Sequence, residues 1–211
     1  MKKFFKPFLL FVLVLSCLGG LACEKAAGLN TFASDAEAKQ YVKSEEATSF
    51  VRIDLQSGGS IVVKLFTDVA PLAVENFQKL VSESHYDGVI FHRVIKGFMV
   101  QGGNGGSADN IKGEFAANGV ENNILHKRGV LSMARTGDNT SGFDTASDQF
   151  FICTDDSPHL NGQYAAFGEV VCGMDVADWI ADQPVQKTGP NLNKPLTDIV
   201  MEKVYFVTQE K

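Results

Sequence analysis

The chain has 211 residues, 45% of them hydrophobic, and a formal net charge of −6. That length and apolar content can bury one substantial core, and nothing in them demands a second folded domain. The acidic balance argues against nucleic acid as a partner, because phosphate neutralisation requires a clustered basic surface, and the one dense basic run, His126-Lys127-Arg128, reads as a solvated turn.

The first 23 residues read as an export signal. Met1-Lys2-Lys3 is a basic n-region and Phe8 to Leu15 an uninterrupted apolar run. About ten apolar residues fall short of the roughly 20 that a membrane span needs. Val14-Leu15-Ser16-Cys17 is similar to a bacterial lipobox, which predicts lipidation at Cys17, with Cys23 in Gly20-Leu21-Ala22-Cys23 as the alternative. An ordinary secretory signal cleaved after Ala22 is the competing reading. Each of them places the protein outside the cytoplasm, and the lipidated forms add a bilayer in the cell envelope as partner. Residues 24–48 are rich in Ala, Lys, Glu and Ser and read as a flexible tether with room for a helical turn or two over Asp35 to Lys43, leaving a folded domain over 49–208.

Within that domain, Phe50 to Leu55 alternates, Ser57-Gly58-Gly59-Ser60 turns, and Ile61 to Phe66 returns, which predicts a hairpin. Pro71 opens a predicted helix, with Val74, Phe77, Leu80 and Val81 at helical spacing on one face. Strand-like segments follow at 91–103, 129–134, 149–154 and 164–172, a short helix at 173–180 and a closing strand at 199–207. Many strands with helices in separate places, rather than strict alternation, predict a mainly β closed antiparallel barrel capped by two α-helices.

Cys153 and Cys172 lie in apolar strand-like runs, where burial as small hydrophobes is expected, although an oxidising compartment would permit a disulfide. The four His residues and the cysteines show no metal-ligand spacing, so neither metal nor cofactor is expected. Gly102-Gly103-Asn104-Gly105-Gly106 lacks the strand-to-helix context of a phosphate loop, and no Gly-x-Ser-x-Gly elbow supports a hydrolase. Trp179 reads as a packing residue.

The chemistry-bearing stretch is Phe91 to Gly103, which places a guanidinium (Arg93), a primary amide (Gln101) and the Phe98-Met99 pair in β-patterned sequence. Alternation puts Arg93, Met99 and Gln101 on one surface if two strands meet around Gly97. The segment resembles the signature of the cyclophilins, which are peptidyl-prolyl cis/trans isomerases, and the resemblance extends over about Ser49 to Val207. It implies a closed eight-stranded barrel with a helix over each end, and proline-containing unfolded or flexible polypeptides as substrates.

By the same resemblance Arg93 is catalytic and Gln101 holds the substrate backbone and orients Arg93. Phe98, Met99, Phe151 and Leu160 form the proline pocket. Ala134, Arg135 and Gln149 contact the peptide, and Tyr164 stands where eukaryotic members have histidine. His159 replaces a tryptophan important for cyclosporin affinity, which implies weak cyclosporin binding. The loop Thr136 to Asp148 is longer than in common relatives, and Asp148 replaces a usual small residue before Gln149. The competing function is a proline-peptide binding module or holdase without useful turnover, which would not require Arg93.

Overall fold

The computed structural model describes residues 29–137 and 142–210. The expected signal segment, with Cys17 and Cys23, lies outside the described residues. Strands β1 (Tyr41–Lys43), β2 (Phe50–Leu55), β3 (Ser60–Leu65), β4 (Phe91–Ile95), β5 (Met99–Gly102), β6 (Val130–Met133), β7 (Phe150–Cys153), β8 (Ala166–Cys172) and β9 (Met201–Gln209) form one sheet in the order β1-β9-β2-β3-β8-β6-β7-β5-β4. All its pairings are antiparallel.

The expectation of an eight-stranded barrel closed by its ladder is corrected on two points. A ninth strand, β1, adds to β9, and the terminal strands β1 and β4 are not paired with each other. The space between them is stitched by other means. Ile90 forms an isolated bridge with Val200, the Ser44 N–H donates to the Phe206 carbonyl (2.9 Å), and the Asp87 carboxylate accepts from the Val204 N–H (3.0 Å). A side-chain acceptor thus satisfies a strand donor where no neighbouring strand supplies one.

The alternation in β2 buries Val51, Ile53 and Leu55, while Arg52 and Asp54 form a pair on the other face (2.7 Å). Helix α2 (Pro71–Ser82) begins at the predicted proline and buries Val74, Phe77, Leu80 and Val81. Its first-turn N–H groups have no partner within the helix. Glu114, 4% exposed, supplies one, accepting from the Leu72 and Ala73 N–H groups at 3.1 and 2.8 Å. Phe77 anchors the core against Tyr86, Phe150 and Phe167, with ring centroids 5.2–5.4 Å apart. Helix α3 (Met174–Ala181) follows Gly173, whose positive φ of 91° suits glycine, and buries Val176, Ala177 and Ile180. Cys153 and Cys172 are both buried, and neither is in a disulfide.

The tether expected over 24–48 is corrected for its described part. Residues 35–38 form a short helix, α1, within the stretch read as having room for a helical turn, and β1 follows it. Phe32 packs edge-on against Trp179 (5.9 Å), the Ser34 N–H donates to Asp175 (3.0 Å), and Tyr41 is 6% exposed. Three well-placed anchors in a polar stretch are enough to hold it, yet too sparse to create a period in the sequence.

Candidate active site

The site grows from register. Across β4, β5, β7 and β6, Arg93 lies opposite Gln101, Gln101 opposite Phe151, and Phe151 opposite Ser132. Residues paired in this way share a face of the sheet. The hairpin turn between β4 and β5 contains Gly97 at φ 71°, a left-handed conformation that glycine adopts without strain.

Gln101 connects its neighbours through both ends of its amide. Arg93 Nη1 donates to Gln101 Oε1 (3.2 Å), and Gln101 Nε2 donates to Gln149 Oε1 (3.0 Å). Met99, Phe151 and Leu160 make an apolar cluster with Cys153, with Phe98, Ala134 and Tyr164 packed against it. These groups border a cavity of about 360 Å³ lined by Arg93, Phe98, Met99, Gln101, Ala134, Arg135, Phe151, His159, Leu160 and Tyr164. Every expected site residue of the domain therefore falls in one place except Gln149, which adjoins the cavity through Gln101.

Tyr164 meets Phe151 edge-on at 5.8 Å, and the Arg135 guanidinium lies 4.7 Å from the Tyr164 ring centroid and 5.2 Å from that of Phe143. Phe143 belongs to the described part of the long loop and meets Arg135 beside the groove. At the other rim the His159 ring lies 5.2 Å from Phe98. Ala134 is fixed by its N–H donating to the Gln149 carbonyl (2.9 Å).

The sequence reading missed His126. It is 2% exposed, not part of a solvated turn, and its ring stacks against Phe151 at 6.1 Å and 19°. Its Nε2 lies 3.0 Å from Ser132 Oγ, and its backbone N–H donates to Asn161 Oδ1 (2.7 Å). Burial lowers its pKa from 6.5 to about 4, outweighing the opposing hydrogen bond to the Asn161 side-chain oxygen. A lone histidine beside two basic residues carries no sequence signal for such burial. His92, next to Arg93, is also lowered by burial, with Gln149 opposing.

No group of His, Cys, Asp and Glu side chains able to hold a metal occurs among the described residues. Neither does any helix long and apolar enough to cross a membrane.

The apolar cavity is thus bordered by a guanidinium held on an amide relay. The family model for cyclophilin type peptidyl-prolyl cis-trans isomerases matches residues 50–206. The chain belongs to this family, and it is a peptidyl-prolyl cis-trans isomerase. A peptidyl-prolyl cis-trans isomerase of Arabidopsis thaliana is 40% identical over 151 residues, covering 69% of this chain and 89% of the relative. The peptidyl-prolyl cis-trans isomerase A of Dickeya dadantii is 40% identical over 160 residues, with 72% and 81% covered. Among solved structures, a Cryptosporidium parvum cyclophilin superposes with a TM-score of 0.66 at 28% identity, covering 77% of this chain and 99% of the other. The same protein in the presence of the dipeptide Ala-Pro gives 0.65 at 28% identity, with 75% and 99% covered.

Proposed function

We propose that the Arg93 to Gln149 relay and the adjoining apolar pocket are the machinery for rotating X–Pro bonds. Amide resonance sets a barrier of about 18–20 kcal/mol to that rotation. As the bond twists, the proline nitrogen loses conjugation and its lone pair becomes a hydrogen-bond acceptor. Arg93 donates to it, and that interaction strengthens in the transition state alone. Gln101 holds Arg93 Nη1 at 3.2 Å, so the guanidinium is oriented before substrate arrives. Phe98, Met99, Phe151 and Leu160 receive the proline ring, while the main chain at Ala134 and Arg135, with Gln149, takes the flanking peptide. The Ala-Pro dipeptide studied with a structural neighbour supports a proline-containing ligand here.

The carrying observation is the Arg93–Gln101 hydrogen bond at the edge of the apolar cavity. Arg93→Ala tests it: turnover of an X–Pro peptide is expected to fall by about 10²–10³, comparable to the loss of one preorganised donor, with a smaller loss in peptide binding. Equal turnover by the folded variant overturns the assignment of Arg93 as the catalytic donor.

We further propose that the protein acts outside the cytoplasm on proline-containing chains as they fold. The basic and apolar leader and the Val14 to Cys17 sequence support a lipid anchor at Cys17, or at Cys23, to the cell envelope. Mass spectrometry of the mature N-terminus decides between them. An unlipidated product discards the anchor and leaves the isomerase unaffected.

A further inference from the structure

Asp148 stands immediately before Gln149, and its carboxylate is buried at 2% exposure. Burying a carboxylate is costly unless its oxygens are satisfied. Here Oδ2 lies 3.0 Å from His85 Nε2, where a proton on that nitrogen makes it the donor, and also accepts the Gly105 N–H at 3.0 Å. The Ser147 hydroxyl donates to Oδ1 (3.2 Å), and the Tyr86 hydroxyl donates to the Asp148 carbonyl (3.0 Å). One residue thereby joins the link between α2 and β4, the loop after β5, and the start of β7.

The packing around this hub is close enough to restrict what can stand there. A Cβ on Gly105 would lie 2.6 Å from the His85 carbonyl and 2.8 Å from its ring, and one on Gly103 would collide with the Asp148 carbonyl. Two of the three joined segments carry the relay: Gln101 sits two residues before Gly103, and Gln149 directly follows Asp148. Neither His85 nor Asp148 lines the cavity.

We propose that His85 and Asp148 form a positioning pair for the isomerase site. It fixes the backbone of Gln149 against the loop that follows Gln101, which sets the amide relay and so the direction in which Arg93 donates. The proposal rests on the assignment of Arg93 and Gln101 to the reaction.

The test compares kcat and KM for an Ala-Pro peptide, together with Tm, in His85→Ala, His85→Gln, Asp148→Asn and the His85→Ala/Asp148→Asn double variant. Val63→Ala, a buried change on β3 outside the network, is the control for lost stability. Expected are a 3- to 10-fold loss in kcat with KM within about 2-fold for His85→Ala and Asp148→Asn, and a double variant no worse than the poorer single one. His85→Gln, whose terminal amide nitrogen can occupy the Nε2 position, should recover most of the loss, and Val63→Ala should keep wild-type kcat. Wild-type kcat in folded His85→Ala and Asp148→Asn overturns the pair, as does an equal loss in Val63→Ala at matched Tm. If Arg93→Ala also retains full turnover, the reading of the site itself fails; if Arg93→Ala is impaired as expected, only the positioning role does.

Discussion

His126 and Ser132 meet behind Phe151, which lines the site cavity, with Nε2 and Oγ 3.0 Å apart and the Phe151 ring stacked on the imidazole. The fold holds this ring in its neutral form, since burial takes its pKa from 6.5 to about 4. Between those values the unfolded chain binds a proton that the folded one refuses. Stability from this site is therefore complete above about pH 6.5 and is lost as pH falls towards 4. A shift of this size corresponds to something on the order of 3 kcal/mol. Thermal unfolding from pH 7 to 4 should show the loss, and His126→Gln, which can keep a hydrogen-bond partner for Ser132, should flatten it. His92 acts in the same direction, so some slope remains. An unchanged slope in His126→Gln would remove His126 as its source.

The segment before residue 49 belongs to the fold. A chain beginning at Leu29 is expected to be as stable as the full domain, and one beginning at Ser49 to be weaker by several kcal/mol, on the order of a few buried aromatic contacts. The second chain lacks Phe32, Tyr41 and all of β1. Urea unfolding of the two decides the point: coincident midpoints would show that the segment contributes nothing.

Glu114 should matter to helix α2 out of proportion to its distance in sequence. Glu114→Ala leaves the Leu72 and Ala73 N–H groups without their acceptor, and a loss of about 1–2 kcal/mol is expected. Denaturant titration measures it, and a change below about 0.5 kcal/mol would mean that another acceptor replaces the carboxylate.

Cyclosporin binding should be weak, because an exposed imidazole stands at the Phe98 rim where drug-sensitive family members carry an indole. His159→Trp should tighten it, as isothermal titration would show. No gain in a folded variant would mean that residue 159 does not reach the ligand.

The site was legible because cross-strand register turns short-range sequence into shared surface. Arg93, Phe98, Met99 and Gln101 occupy one hairpin, and Phe151 enters through an adjacent strand with its own apolar run. What escaped depends on contacts between distant segments. His126 lies in a polar-looking stretch whose burial is decided by Asn161, Ser132 and Phe151. Asp148 stands out in the sequence as a charged residue before Gln149, but its partner His85 is 63 residues away, and no local pattern joins them. The strap over 29–48 is held by Phe32, Ala38 and Tyr41. Phe32 meets Trp179 of α3 and Tyr41 meets Phe50 of β2, contacts with distant segments that leave no periodic trace.

The stitching between β1 and β4 bears on how copies of this protein behave at high concentration. A strand with free N–H and C=O groups is a template for a strand of another molecule. On the flank of β9 away from β2, the N-terminal strap covers 207–209, the Ile90 bridge covers Val200, and Asp87 takes the N–H of Val204 between them. The Lys203 ammonium lies 2.7 Å from the same carboxylate, placing an ion pair where an incoming strand would have to lie. Losing the strap would thus do more than weaken the fold: it would open the edge of β9 to strands of other copies, so clipping of the N-terminal segment by a protease would favour aggregation.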